Sequence, residues 1–251
     1  MPPITLRFYG PLNDFLPRHC EPEIQVGLRE PAAVKDVIEA HGVPHPEVAL
    51  VLVDGVSVEF GYRIVGGERI AIFPACDLIP VHESSRVVPP PLGDRRFVLD
   101  GHLGRLAAYL RTLGYDTRYH NDPDDAALAE CSHRERRILL TRDIGLLKRS
   151  LVQYGYWVRS TDPEAQLFEV AARYALATGA EPFSRCVSCN GLLRDVDKAA
   201  IEHLLPPRTR AEHHQFRQCT ECEQVFWPGS HYDRMKRLID EVIAADTRAA
   251  P

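Results

Sequence analysis

The sequence predicts an α/β protein. It has a parallel sheet flanked by helices, a small α+β domain before that sheet, and a four-cysteine zinc ribbon after it. Three observations predict this layout. Arg96-Phe97-Val98-Leu99-Asp100 and Arg137-Ile138-Leu139-Leu140-Thr141-Arg142-Asp143 are short apolar runs that end on a carboxylate, with helical patterns between them. Strands that alternate with helices line up parallel and carry the helices on the sheet faces. Ahead of them, strand patterns surround a single helix pattern; behind them stand two Cys-x-x-Cys pairs. The predicted segments are a first domain over 1–80, a Pro-rich linker over 81–94, the α/β domain over 95–180, and the ribbon with a final helix over 181–251.

Composition narrows the function classes. A net charge of -5 carries no global nucleic-acid signature, so a nucleic-acid role needs a local basic patch. Apolar stretches are too short to span a bilayer, and the first residues lack a basic region followed by an apolar core. Four of the seven cysteines sit in the two pairs, which suits a reducing cytoplasm and a metal site better than a disulfide framework. The expected location is therefore cytoplasmic, with no membrane partner.

In the first domain, Ile4 to Tyr9 alternates as a strand does, and Glu23-Ile24-Gln25-Val26 is its candidate partner. Val34, Val37 and Ile38 share a helix face that Gly42 ends. Val48 to Val53 is a third strand, Asp54-Gly55 a hairpin turn, and Arg69 to Phe73 a last strand. The order ββ-α-ββ, with Leu52-Val53-Asp54-Gly55 and Gly67-Glu68-Arg69-Ile70-Ala71-Ile72-Phe73-Pro74, resembles the ubiquitin-like (β-grasp) sulfur carriers of the ThiS and MoaD type. Those carriers load sulfur on a terminal Gly-Gly. Here the chain runs on through Ala75-Cys76-Asp77-Leu78. The resemblance implies the fold and a surface for a protein partner, not sulfur chemistry.

The α/β domain carries the chemistry. Leu103, Leu106, Ala107, Leu110 and Leu113 have helical spacing, and Gly114 is the expected cap. Asp116-Thr117-Arg118-Tyr119 is a strand with Asp116 at its start, away from the rim where Asp100 and Asp143 end theirs. Asp122, Asp124 and Asp125 suit a helix start. A helix follows Asp162-Pro163. Ligands of parallel sheets bind at the carboxyl ends of strands, and carboxylates gathered there suit a hard divalent cation. Taken singly, Asp100 and Asp143 are equally well explained as helix caps.

Phe97-Val98-Leu99-Asp100-Gly101-His102-Leu103-Gly104-Arg105-Leu106-Ala107, Leu113-Gly114-Tyr115-Asp116 and Arg137-Ile138-Leu139-Leu140-Thr141-Arg142-Asp143 together resemble the Mut-seven C-terminal RNase family, a branch of the PIN-like nucleases. The likeness runs from about Phe97 to Met235. It implies a PIN-like fold and a catalytic aspartate set at Asp100, Asp125 and Asp143 that holds Mg2+ or Mn2+. Asp125 lies sixteen residues before Thr141, the place of the family's helix-opening aspartate. Arg105, Arg142 and Lys148 flank this rim and are candidates to hold RNA phosphates. Arg149, and the run Arg134, Arg136 and Arg137, read as solvated charge.

Cys186, Cys189, Cys219 and Cys222 are the expected ligands of a structural Zn2+. A helix over Val196 to Leu205 would be inserted between the knuckles. Cys20, Cys76 and Cys131 are lone and read as small buried groups. Phe226-Trp227-Pro228-Gly229-Ser230-His231-Tyr232 is similar to a phrase in the same family. There Ser230 is a candidate cap for the last helix, and His231 either reaches RNA or the metal rim or makes a structural hydrogen bond. The sequence thus points to a metal-dependent ribonuclease. The alternative is a non-catalytic RNA-binding or adaptor protein working through the ribbon and the ubiquitin-like domain.

Overall fold

The computed structural model of the 251-residue chain describes residues 1–17, 23–74, 87, 89–90, 92–121 and 124–249. Cys20, Cys76, Asp122 and most of the predicted linker lie outside the described residues, as does the side chain of Ser230.

The chain opens with β1 (Ile4–Phe8), β2 (Ile24–Val26), β3 (Ala32–Ala33), α1 (Val34–Ala40), β4 (Val48–Val53), β5 (Val56–Ser57), β6 (Arg63–Ile64) and β7 (Arg69–Pro74). Five of these strands form one sheet in the order β2-β1-β7-β4-β5, with β1 and β7 parallel and the other pairs antiparallel. Period-two alternation sets which side is buried. Ile4, Leu6 and Phe8 of β1 and Ile70 and Ile72 of β7 point into a core with Val34, Val37 and Ile38 of α1. Asp54 and Gly55 turn the β4–β5 hairpin with positive φ at both positions. The buried Glu68 carboxylate accepts the Val65 and Gly66 amides at 2.7 Å each, fixing the turn into β7.

Next come β8 (Phe97–Leu99), α2 (Gly104–Thr112), β9 (Thr117–Tyr119), α3 (Asp125–Glu135), β10 (Ile138–Thr141), α4 (Ile144–Leu147), β11 (Gly155–Trp157) and α5 (Pro163–Tyr174). The ribbon follows, with β12 (Leu193–Asp195), α6 (Lys198–Ile201), α7 (Pro207–Glu212), β13 (Arg217–Cys219) and β14 (Val225–Phe226), and α8 (Ser230–Ala249) ends it. The chain packs into two units, Met1–Asp94 with Pro123–Trp157, and Arg95–Asp122 with Val158–Pro251.

The first unit joins the ubiquitin-like domain to β10 and β11, which are parallel around α4 with Leu139 opposite Gly155. Every residue of β10 is buried, so its unbroken apolar run is that of a strand covered on both faces. The domain and this βαβ unit meet through polar groups. His45 is buried, with Nδ1 2.7 Å from Glu39 Oε1 and Nε2 2.9 Å from the Val152 carbonyl. The buried Glu47 carboxylate accepts the Trp157 amide at 2.8 Å, and the Phe15 and Trp157 rings lie 4.9 Å apart.

In the second unit β8 and β9 are parallel around α2, Leu99 opposite Tyr119. Phe97 is fully buried, its ring edge-on to Tyr115 and Tyr174 at 5.9 and 5.8 Å. Asp162 caps α5 by accepting the Ala165 amide, and α8 lies along α5, with the Ala177 amide donating to Asp246 Oδ2 at 2.6 Å.

Two expectations need correction. The helix expected over Val196 to Leu205 is only the four residues of α6 and a 3-10 turn, and α7 follows separately. Pro206 and Pro207 separate that turn from α7, since proline restricts the residue before it and cannot continue a helix. Arg137, expected in solvent, is 3% exposed and pairs with Glu135 at 2.7 Å. Arg134 is solvated as expected.

Gly114 follows α2 at φ 100°, and a Cβ there would clash with the Glu181 carbonyl oxygen. Gly114→Ala is therefore expected to cost about 2 kcal/mol or more in urea unfolding followed by circular dichroism. Gly27→Ala, where a Cβ meets nothing within 4 Å, is expected to stay within about 0.5 kcal/mol of the parent.

Candidate functional site

Two sets of potential ligands were expected, and they differ in how they are built. The four cysteines come from two turns. Cys186 and Cys189 flank one knuckle, Cys219 ends β13, and Cys222 closes the next turn. Their Sγ atoms all lie within 4.8 Å of one another, with Cys186 to Cys222 at 3.7 Å and Cys189 to Cys219 at 3.3 Å. A Zn–S bond of about 2.3 Å in a tetrahedron sets the sulfurs about 3.8 Å apart, so this donor set fits zinc. The Gly191 amide points at Cys189 Sγ at 3.4 Å, and the Glu221 and Cys222 amides at Cys219 Sγ at 3.4 and 3.5 Å. Burial, helped by the thiols of Cys189 and Cys222, pushes Cys186 up to about 12. A cation at the centre of the four reverses that preference. The cluster could hold a metal such as zinc.

The first knuckle is bolted to the α/β scaffold. Arg111 of α2 is 5% exposed; its Nε donates to the Thr117 carbonyl at 3.0 Å, and its Nη1 donates to the Val187 and Ser188 carbonyls at 2.9 and 3.0 Å. Burial lowers its guanidinium from the usual range, while Cys186, Cys189 and Asp116 favour its charge. Asn190 adds a second bolt, accepting the Thr117 amide at 2.9 Å and donating to Asp116 Oδ1 at 2.7 Å. Asp116, left out of the acidic site on sequence grounds, is thus part of the ribbon's mounting.

The aspartates stand where strands become helices. Asp143 follows β10 and caps α4; its Oδ1 accepts the Gly145 amide at 2.7 Å and the Leu146 amide at 3.4 Å. Its own amide donates to Thr141 Oγ1 at 2.9 Å, and its Oδ2 takes no hydrogen bond among the described residues. Asp124 is the cap of α3, accepting the Ala126 amide, and Asp125 is the first helical residue. Asp125 Oδ2 lies 3.6 Å from Arg149, just past α4, so the start of α3 is tied to the segment that Asp143 opens. Arg149 is solvated, as expected, and also meets the Asp125 carboxylate. In the other unit, Asp100 follows β8 and accepts the His102 amide at 3.0 Å.

The flanking cations differ among themselves. Arg105 is exposed on α2. The Arg142 carbonyl accepts the Trp157 indole N–H at 3.3 Å, and the Lys148 ammonium donates to the Glu39 carbonyl of the ubiquitin-like domain. His231 is exposed and lines a ribbon cleft of about 740 Å³ with Phe183, Phe226, Trp227 and Tyr232. Sequence reasoning missed Glu39, His45, Glu47, Arg111 and Asn190, whose partners lie many tens of residues away and include main-chain groups that leave no motif.

Parallel βαβ units, an N-terminal β-rich domain and a four-cysteine centre define a mixed α/β protein with an appended metal-binding module. The chain matches the Mut7-C RNAse domain over residues 95–239 and the Mut7-C ubiquitin domain over residues 1–79, and it belongs to the Mut7-C RNAse family. Neither the curated proteins nor the solved structures contain a significant match. Membership in an RNase family points to a nuclease-like function. No described helix is long and apolar enough to cross a membrane.

The purified chain is expected to hold one zinc, and Cys189→Ser to lose it with a lower melting temperature, because metal binding is coupled to folding. Elemental analysis with a thermal scan checks this. Zinc uptake should release protons and weaken as pH falls, since bound zinc displaces them from the thiols.

Proposed function

We propose that the chain is a Mg2+- or Mn2+-dependent ribonuclease whose metal ligands are Asp100, Asp125 and Asp143. The observation that carries this reading is Asp143. In a domain of RNase type, it stands two residues past a buried parallel strand and caps the next helix with one carboxylate oxygen only. Carboxylate oxygens are the donors that Mg2+ and Mn2+ take. Bound there, the ion would supply charge neutralisation at the phosphate and a more acidic water.

The chain's own groups do the rest. Oδ1 of Asp143 is fixed by two amides, which sets the direction of Oδ2. Arg149 lies beside Asp125 and competes with a cation for its carboxylate. Arg105, Arg142 and Lys148 hold the phosphates on either side of the cut. Lys148 keeps two of its three N–H donors beyond the one directed at Glu39. RNA is the substrate class we favour, and we place the protein in the cytoplasm because four of its cysteines are gathered as a metal-ligand set, which a reducing compartment suits.

A second reading is RNA binding without cleavage, with a protein partner at the ubiquitin-like domain. The aromatic lining of the ribbon cleft favours it, because bases stack on such side chains.

Incubating the full chain with mixed RNA and single-stranded DNA in Mg2+, Mn2+ or EDTA separates the two readings. Metal-dependent loss of RNA is expected. Asp143→Asn keeps a capping oxygen but loses the charge, and is expected to lower cleavage by about 100-fold or more with an unchanged fold. Asp240→Asn, on the exposed face of α8 beside Lys236, is the control and should cleave as the parent does. Wild-type cleavage by Asp143→Asn would remove Asp143 from the site.

A further inference from the structure

The ubiquitin-like domain meets the segment that carries Asp143 at both ends. At the near end, Glu47 accepts the Trp157 amide at 2.8 Å and Phe15 lies against the Trp157 ring at 4.9 Å. The indole N–H of Trp157 then donates to the Arg142 carbonyl at 3.3 Å, one residue before Asp143. At the far end, Lys148 ends α4 and its ammonium donates to the Glu39 carbonyl. A few residues on, the Val152 carbonyl meets His45 Nε2 at 2.9 Å. His45 and Glu47 are 7% and 4% exposed, so these groups are removed from competing water. Between the two ends lies a helix of four residues, too short to hold its own shape.

We infer that the ubiquitin-like domain is a positioning clamp for Asp143, holding residues 142–148 through Trp157 and Lys148. The inference rests on the reading of Asp143 as a metal ligand and gives the domain an internal task in that site. Trp157, Glu47 and Lys148 are positioning residues here. A ligand displaced by about 1 Å can lower turnover by about 100-fold, so a loosened clamp should lower kcat more than it changes KM for RNA.

The test uses the full chain and two independent readouts, amide hydrogen exchange over 143–147 and Mn2+-dependent cleavage. Trp157→Phe keeps an aromatic ring near Phe15 and removes the indole N–H together with part of the ring's bulk, which Lys148→Met controls for. It should speed exchange over 143–147 about fivefold, the equivalent of one lost hydrogen bond. It should also lower kcat and raise the Mn2+ concentration for half-activation. Glu47→Ala should act in the same direction, and Glu47→Gln, which keeps an acceptor oxygen, should restore wild-type exchange and kcat. Lys148→Met is the second route for the exchange measurement should Trp157→Phe fold poorly, and a similar rise is expected. Unchanged exchange in Trp157→Phe, Glu47→Ala and Lys148→Met overturns the clamp. Faster exchange in a chain whose wild type shows no metal-dependent cleavage supports the clamp and overturns the ribonuclease reading instead.

Discussion

A helix that begins where a buried strand ends has amide groups without partners, and an aspartate at the junction meets that need. This constraint recurs through the chain. Asp100 after β8, Asp143 after β10, and Asp124 and Asp162 before α3 and α5 each accept at least one such amide. A capping carboxylate uses one oxygen and keeps a negative charge that folding alone does not require, since asparagine caps as well. Strand ends are therefore where this fold holds carboxylates at fixed positions. The capping role and the proposed ligand role of Asp143 use different oxygens of one side chain.

The ribbon depends on a buried charge. Arg111 gives up solvent for three main-chain carbonyls, two of them in the first knuckle. A guanidinium has five N–H donors in a fixed plane, so it orients two segments at once where an ammonium would hold one. Removing it would leave the carbonyl of buried Thr117 without this donor and release the first knuckle from α2, and an unpartnered buried carbonyl costs more than the bond contributes. The four-cysteine cluster is thereby joined to α2 and β9 and does not hang from the chain as a separate module.

Much of this was legible in the residues. The runs ending at Asp100 and Asp143, the helical spacing from Leu103 to Leu113 and the paired cysteines are local patterns, and each became the predicted element or cluster. What was not legible was set by distance along the chain or by main-chain partners. Arg137 is a different case: its partner Glu135 is two residues away, and it is the burial of the guanidinium that no local pattern shows. Lys148 reads as a cation beside a metal rim, and only the fold brings its ammonium to Glu39, 109 residues earlier. The separation of α7 from the expected Val196–Leu205 helix was legible in Pro206-Pro207, whereas the tightening into a 3-10 turn after Ile201 leaves no such mark.

The contacts of the ubiquitin-like domain with the Asp143 segment have an evolutionary corollary. Three of the acceptors, at Glu39, Arg142 and Val152, are main-chain carbonyls. A carbonyl is present whatever side chain stands at its position. As far as these bonds go, no particular side chain is needed at the acceptor positions, although the Glu39 carboxylate also meets His45 and Arg142 has its proposed phosphate role. The selective pressure from this contact therefore falls on the donors His45, Lys148 and Trp157. Pairwise covariation, which needs both partners to change together, would leave this junction nearly silent in a family alignment.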